Sequence, residues 1–262
     1  MRILWLSFVD AAQNTPYFER LSRYLNDSAA PGTTVDIVGT SPPDRDFGRL
    51  TEFRCAAFAI DRCIEAEAQH YDAFVMGHFQ DPGLYEARSA VRIPVVGAGE
   101  ATLHFAAQLG RRLGLVSIDP VFEVWHHEQA ERYGLRDRIS GVVGLGFVPE
   151  DFAPAFAGDE AALARMRATF EEKAHPLVAA GADVILPAGV LPALLLCRQG
   201  GYKVRHAPVV NCASVALKTA EMAVALHRLE GLEPSRGPSF ALAPERAIAD
   251  FRKFVARGRQ DD

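Results

Sequence analysis

His78 is the side chain in this sequence best suited to moving a proton. It directly follows an apolar run of strand length, Ala73–Gly77, and at the end of a strand the fold would hold its imidazole where functional groups collect. With an ordinary pKa of about 6.5, that ring can take or give a proton at neutral pH; its blander role is that of a pocket-lining hydrogen bonder. Cys212 follows the run Pro208–Val210 and Asn211. Its thiol could reach the same region as a second catalytic group, or be an inert small hydrophobe. Glu100 and Thr102 sit where Gly97-Ala-Gly-Glu-Ala-Thr opens a helix, so N–H groups there could bind a substrate carboxylate, or Glu100 could be only a first-turn charge. Ser7 and Phe8, Phe79 and Gln80, Gly189 and Val190, and Asn211 all stand at or just past the ends of apolar runs. They are expected to line the substrate.

Other patterns are read more plainly. Gly97-x-Gly99 lacks a third glycine at position 102 and carries Glu100 where a phosphate would be repelled, so it is no dinucleotide fingerprint. His126, His127, Glu128 and Glu131 give His-Glu-x-x-Glu rather than His-Glu-x-x-His, in a segment, Val121–Tyr133, that reads as a charged helix. No metal and no cofactor is expected. No Gly-x-Ser-x-Gly elbow or P-loop occurs. Asp81 and Gly83 read as the turn and cap into the next helix, and Pro187 and Pro192 as rigid brackets of the second strand end. Cys55, Cys63 and Cys197 read as core residues.

The elements that must position these groups alternate. Strand-length apolar runs (Arg2–Ser7, Val35–Gly39, Ala73–Gly77, Pro94–Gly97, Arg112–Ser117, Val142–Phe147, Val184–Leu186, Pro208–Val210) are separated by amphipathic helical stretches such as Glu52–His70, Leu163–Ala180, Ser214–Leu229 and Pro244–Ala256. Such alternation predicts an α/β protein with mostly parallel strands buried on both faces. The strands also repeat. Arg-Ile-Leu-Trp-Leu-Ser from residue 2 resembles Arg-Leu-Gly-Leu-Val-Ser from residue 112, Asp72 onward resembles Asp183 onward, and Pro-Val-Val from 94 returns at 208. A spacing of 110 to 114 residues at three strands predicts two four-stranded parallel-sheet halves related by a pseudo-twofold. The expected halves are residues 1–98 plus 211–262, and residues 99–210. Under the repeat His78 corresponds to Gly189, so the two should face each other across a cleft beyond the strand ends.

Composition narrows the function classes. Lys plus Arg is 28 against 33 for Asp plus Glu in 262 residues, a net charge of −5, which argues against nucleic acid or an anionic membrane as partner. Four cysteines in no zinc-site or disulfide-framework spacing fit a reducing, cytoplasmic setting. The apolar run from Ile3 to Val9 is at the short limit for a signal peptide, and none approaches a membrane span.

A resemblance to a known family rests on Met-Arg-Ile-Leu at the start, Asp72-Ala-Phe-Val-Met-Gly-His-Phe-Gln-Asp-Pro-Gly-Leu84, Pro94-Val-Val-Gly-Ala-Gly-Glu-Ala101, Gly181-Ala-Asp-Val-Ile-Leu186, and Pro208-Val-Val-Asn211 followed by Leu217-Lys218. Over nearly the whole chain the sequence resembles the aspartate/glutamate/hydantoin racemase superfamily, its hydantoin and allantoin racemase branch in particular. The resemblance implies cofactor-free proton transfer at a carbon beside a carbonyl, by two cysteines on opposite faces of the substrate. It also implies backbone N–H groups at helix starts stabilising an enolate. The first cysteine of that pattern falls on His78, the second on Gly189, the Asn of an amino-terminal Asn-Pro-Asn string on Ser7, and the Asp of a last Pro-Val-Ile-Asp string on Asn211. Gly189 supplies no chemistry. A one-base site suits decarboxylation, elimination, ring opening or one-sided isomerisation better than racemisation. The expectation is therefore a cofactor-independent enzyme, a homo-oligomer acting on a small carboxylate or cyclic amide through His78. The alternatives are a lyase, decarboxylase or hydrolase on a related substrate, or a non-catalytic binder of small acids.

Overall fold

Backbone pairing follows the apolar runs. The structure, a computed structural model, describes residues 1–42, 46–197 and 201–257. One sheet contains β1 (Arg2–Leu6), β2 (Thr34–Val38), β3 (Ala73–Met76) and β4 (Val95–Gly97) in the order β2-β1-β3-β4, all parallel. A second contains β5 (Leu113–Ser117), β6 (Ile139–Gly144) and β7 (Val184–Ala188) in the order β6-β5-β7, again parallel. The internal repeat is thus a repeat of topology: β1, β2 and β3 match β5, β6 and β7 in sequence order and in neighbour.

The fourth position of the second sheet is only partly occupied. Val209 bridges Ile185 of β7, and the Val210 N–H donates to the Ile185 carbonyl at 3.0 Å. The residues just before are drawn into a small antiparallel pair, β8 (Lys203–Val204) with β9 (Ala207–Pro208), through a turn in which Arg205 has φ +55°. Pro208 has no N–H to give a ladder, which shortens the expected strand Pro208–Val210 to that single bridge.

Ten α-helices occur among the described residues: α1 (Thr15–Ser28), α2 (Arg49–Ala68), α3 (Leu84–Ala90), α4 (Ala98–Leu109), α5 (Phe122–Arg132), α6 (Ala153–Phe156), α7 (Glu160–Ala179), α8 (Val190–Leu196), α9 (Cys212–Glu230) and α10 (Glu245–Arg257). The amphipathic stretches locate α2, α7, α9 and α10 to within three residues at each end. Local chemistry sets the boundaries: the Asp159 side chain accepts the Ala161 and Ala162 N–H groups at the start of α7, and Gly231, at φ +69°, ends α9.

α4 and α9 pack on each other, and their buried Ala101, Ala106, Ala213, Ala216 and Ala220 belong to one cluster with residues from strands of both sheets. Small side chains let the helices approach closely, so the two sheets are held on a common, tightly packed middle. Truncating a large side chain there, such as the fully buried Leu217, would cost about 2–5 kcal/mol. This middle holds the strand ends of both sheets in place. No helix of the described residues is long and apolar enough to cross a membrane.

Candidate functional site

The carboxyl ends of β1, β3 and β7 converge on one pocket of ≈ 60 Å³, a few times the space one buried water needs. Ser7 and Phe8 continue β1 into it, His78, Phe79 and Gln80 continue β3, and Gly189 and Val190 join β7 to α8. Tyr17, Phe47, Ile118, Phe122 and Pro149 help to close it.

Gly77 brings His78 there. A Cβ at position 77 would fall well inside contact with the Trp5 indole nitrogen and 2.6 Å from the Leu6 carbonyl oxygen, so only glycine lets β3 leave the sheet this close to β1. The His78 ring then stacks on Phe8, with centroids 4.5 Å apart and planes at 26°. Its Nε2 lies 2.8 Å from Oε1 of Glu52, in the first turn of α2, and the two side chains are only 15% and 16% exposed. A carboxylate accepting the Nε2 hydrogen selects one tautomer of the neutral ring, leaving Nδ1 as its basic nitrogen. The pair therefore has the make-up of an oriented base. Sequence reading missed Glu52: it lies 26 residues from His78 on a different element, and no local pattern marks it.

The lining contributed by β7 and α8 is different. Ala188, Gly189, Val190, Leu191 and Ile118 present no group that titrates. The polar groups at the pocket are Ser7 and Tyr17, whose hydroxyls are 3.1 Å apart and buried, and the half-buried Gln80. Burial pushes the Tyr17 phenol well above its ordinary range, so it stays a neutral hydroxyl. One hydroxyl hydrogen serves the Ser7–Tyr17 contact and the other remains to donate.

Four expected site residues lie outside the pocket lining. Cys212, at the first position of α9, is fully buried. Burial pushes its thiol up to about 12, against the opposing pull of the Gly189, Cys212 and Ala213 amides, so it is an un-ionised thiol behind the wall. Asn211 is a cap: its Oδ1 accepts the Ala213 N–H at 2.9 Å and its Nδ2 donates to the Tyr24 hydroxyl at 3.0 Å. Glu100 is paired with Arg88, two guanidinium nitrogens meeting its two oxygens. The Thr102 hydroxyl donates to the Ala98 carbonyl at 2.6 Å, within α4. The amides at the start of α4, expected to meet a substrate carboxylate, instead meet Asp81: Gly99 and Glu100 N–H donate to its oxygens at 3.0 and 2.6 Å. Asp81 was expected to cap the next helix, but the N-cap of α3 is Gly83. Of the His-Glu-x-x-Glu segment, His126 is buried against Ser117 and Gln129, while Glu128 pairs with Arg49.

Comparison with known proteins bears on this geometry. A family model described as Asp/Glu/Hydantoin racemase matches residues 12–190. The chain is 30% identical to a hydantoin racemase of Pseudomonas sp. over 117 residues, a match spanning 44% of this chain and 47% of that protein's length. It is 26% identical to a hydantoin racemase of Paenarthrobacter aurescens over 249 residues, 94% of this chain and 99% of that one. The fold is similar to that of allantoin racemase from Pseudomonas fluorescens, with a TM-score of 0.74 and 24% identity over 93% of this chain and 97% of that one.

Proposed function

The chain belongs to the Asp/Glu/Hydantoin racemase family, and on that footing we propose that it is a cofactor-independent enzyme that moves a proton at a carbon beside a carbonyl, with His78 as the base. The substrate class is a small carboxylate or a cyclic amide of the hydantoin kind. The observation that carries the reading is the contrast between two walls of one small pocket, with the His78–Glu52 pair on one and an apolar surface centred on Gly189 on the other.

In this reading, Nδ1 of His78 takes the proton, the C–H electron pair moves into the carbonyl, and an enolate forms. Glu52 holds the Nε2–H and stabilises the imidazolium as it develops. Phe8 lies flat against that cation. The hydroxyl hydrogen left over at Ser7 and Tyr17, and the Gln80 amide, are the donors for the enolate oxygen. Return of a proton from the imidazolium restores the same face. The Gly189 wall has no acid to deliver one from the other side, so inversion is slow.

That apolar wall favours a second reading, a lyase, decarboxylase or hydrolase, in which a bond breaks on the Gly189 side: in a decarboxylation carbon dioxide leaves, its bonding electron pair stays on the carbon and the His78 imidazolium supplies the replacing proton, whereas in a hydrolysis water supplies the hydroxyl. Incubating enantiopure 5-substituted hydantoins, allantoin and arylmalonates in heavy water, and following deuterium content and product chirality together, separates these outcomes. Deuterium uptake that outruns inversion supports one-base exchange, and loss of a group with one product hand supports the second reading. Tight binding of a small acid with neither would overturn both in favour of a non-catalytic binder.

A further inference from the structure

The segment that carries His78 is anchored by a buried carboxylate with no part in the chemistry above. Asp81 is fully buried and has φ +53°, a left-handed conformation that a non-glycine residue adopts only where its surroundings hold it. Its Oδ1 accepts from the Gly99 N–H, and its Oδ2 from the Glu100 N–H, the Tyr133 hydroxyl at 2.8 Å and Nε2 of Gln129 at 3.3 Å. These donors belong to the start of α4 and to the end of α5. The Asp81 N–H in turn donates to the His78 carbonyl at 3.1 Å, and the Gln129 amide donates to the carbonyl of Phe79. Both carbonyls of the stretch carrying the imidazole are thereby tied down.

The Gly97-x-Gly99 pattern has its explanation here. A Cβ on Gly97 would lie 2.6 Å from the Asp81 carboxyl, and one on Gly99 would strike the Phe79 carbonyl and the Gln129 amide. Both glycines clear the space into which this segment docks. The polar chain continues to the other sheet. Since Nε2 of Gln129 is committed as a donor, its Oε1 accepts from Nδ1 of His126, and the neutral ring's Nε2 accepts from the Ser117 hydroxyl. Burial, which holds His126 down to about 4, keeps that ring neutral.

We propose that Asp81 is a positioning residue: with Gln129 it clamps the His78–Gln80 segment onto α4 and α5, and so sets where the His78 ring stands against Glu52 and the pocket. The proposal rests on the reading of His78 as the working base. A carboxyl group shared among four donors is hard to replace without moving the segment, because either orientation of an asparagine would turn an N–H toward a backbone N–H, that of Gly99 or that of Glu100, which can only donate.

The test reads the imidazole directly, without substrate. In the full chain labelled with ¹⁵N at histidine, with the His78 signals assigned by their loss in His78→Gln, the wild type shows a single tautomer with the hydrogen on Nε2. In Asp81→Asn the two ring nitrogens of His78 move toward averaged positions, and any exchange activity falls at least about tenfold with KM unchanged. Tyr133→Phe removes one donor, gives a smaller shift in the same direction, and serves if Asp81→Asn does not fold. If the folded variants lose thermal stability while the His78 signals stay at their wild-type positions, Asp81 is only structural and the proposal is overturned. Because the ring signals need no turnover, a chain that acts on no substrate would count against the proposed function and leave this result readable.

Discussion

Placing a thiol at Gly189 is the change whose consequences can be worked furthest. The φ of Gly189, 161°, is extended backbone that any residue adopts. An added Cβ would sit 3.1 Å from both Cδ and Cγ of Pro192 and 3.5 Å from Cδ1 of Ile118. Carbon contacts are best at about 3.5–4.0 Å, so the first turn of α8 must yield by a few tenths of an ångström. That is mild overpacking, costing about 1 kcal/mol and lowering Tm by about 2–4 °C. In exchange the wall opposite His78 gains an acid, and a positioned acid or base contributes roughly 10²–10⁴-fold. In Gly189→Cys, inversion of an enantiopure substrate in heavy water should therefore rise at least about tenfold and approach the rate of deuterium uptake. Chiral chromatography and NMR on the same samples give both rates. The assay needs a reducing buffer, because the Cys212 thiol lies against the Gly189 amide. A variant that folds, takes up deuterium as fast as wild type and inverts no faster would refute the placement of position 189 across the reacting carbon from His78.

Three further outcomes follow from the same geometry. Glu52→Gln removes a charge-assisted hydrogen bond to a mostly buried ring, worth about 1.5–3 kcal/mol; exchange should slow by roughly 10–100-fold at unchanged KM, and a loss under twofold would remove Glu52 from the mechanism. Gly77→Ala would drive a methyl into Trp5 and the Leu6 carbonyl, and should lower stability in urea by at least about 2 kcal/mol, whereas a near-neutral result would show that β3 can shift. Stability against pH carries a third. Burial pushes the Asp81 carboxyl up to about 7, so its contribution is full below about pH 4 and is lost as pH rises through 7. Burial pushes His126 down to about 4, so its contribution is present above about pH 6.5 and is lost as pH falls through 4. Between those limits the slopes, about 1 kcal/mol per pH unit each, oppose one another; from these two groups wild-type stability stays nearly flat, whereas in Asp81→Asn it climbs with pH. Parallel Tm profiles for the two proteins would contradict this.

The strand ends were legible in the sequence because a buried strand is a contiguous apolar word and the chain spells most of those words twice. That repetition led to His78 and Gly189, and to Ser7, Phe8, Phe79, Gln80 and Val190, all of which line one pocket. What stayed hidden was set by packing between elements. Glu52 reaches His78 from a helix, and Tyr17, Phe47 and Phe122 close the pocket from segments whose composition marks nothing. Asp81 was read through its neighbours Pro82 and Gly83 as local turn chemistry, yet its side chain serves a helix that begins at Ala98. Glu100 and Thr102 stand at a helix start as expected, and Asn211 and Cys212, expected on a loop, open α9; partners from other elements or from their own helix already occupy them, and local sequence does not show whether a partner is there. The fourth strand of the second sheet was overestimated for a similar reason: Pro208 suits an apolar run and still cannot donate to a ladder.

Deuterium incorporation at the carbon beside the substrate carbonyl, compared between the wild type and His78→Ala, tests the central claim most directly. Ser7, Tyr17 and the Gly189 wall remain in place in that variant, so only the base is lost. Exchange should fall by at least about 10²-fold in a variant whose circular dichroism and Tm match those of the wild type. Exchange at the wild-type rate would mean that the proton is moved by some other group.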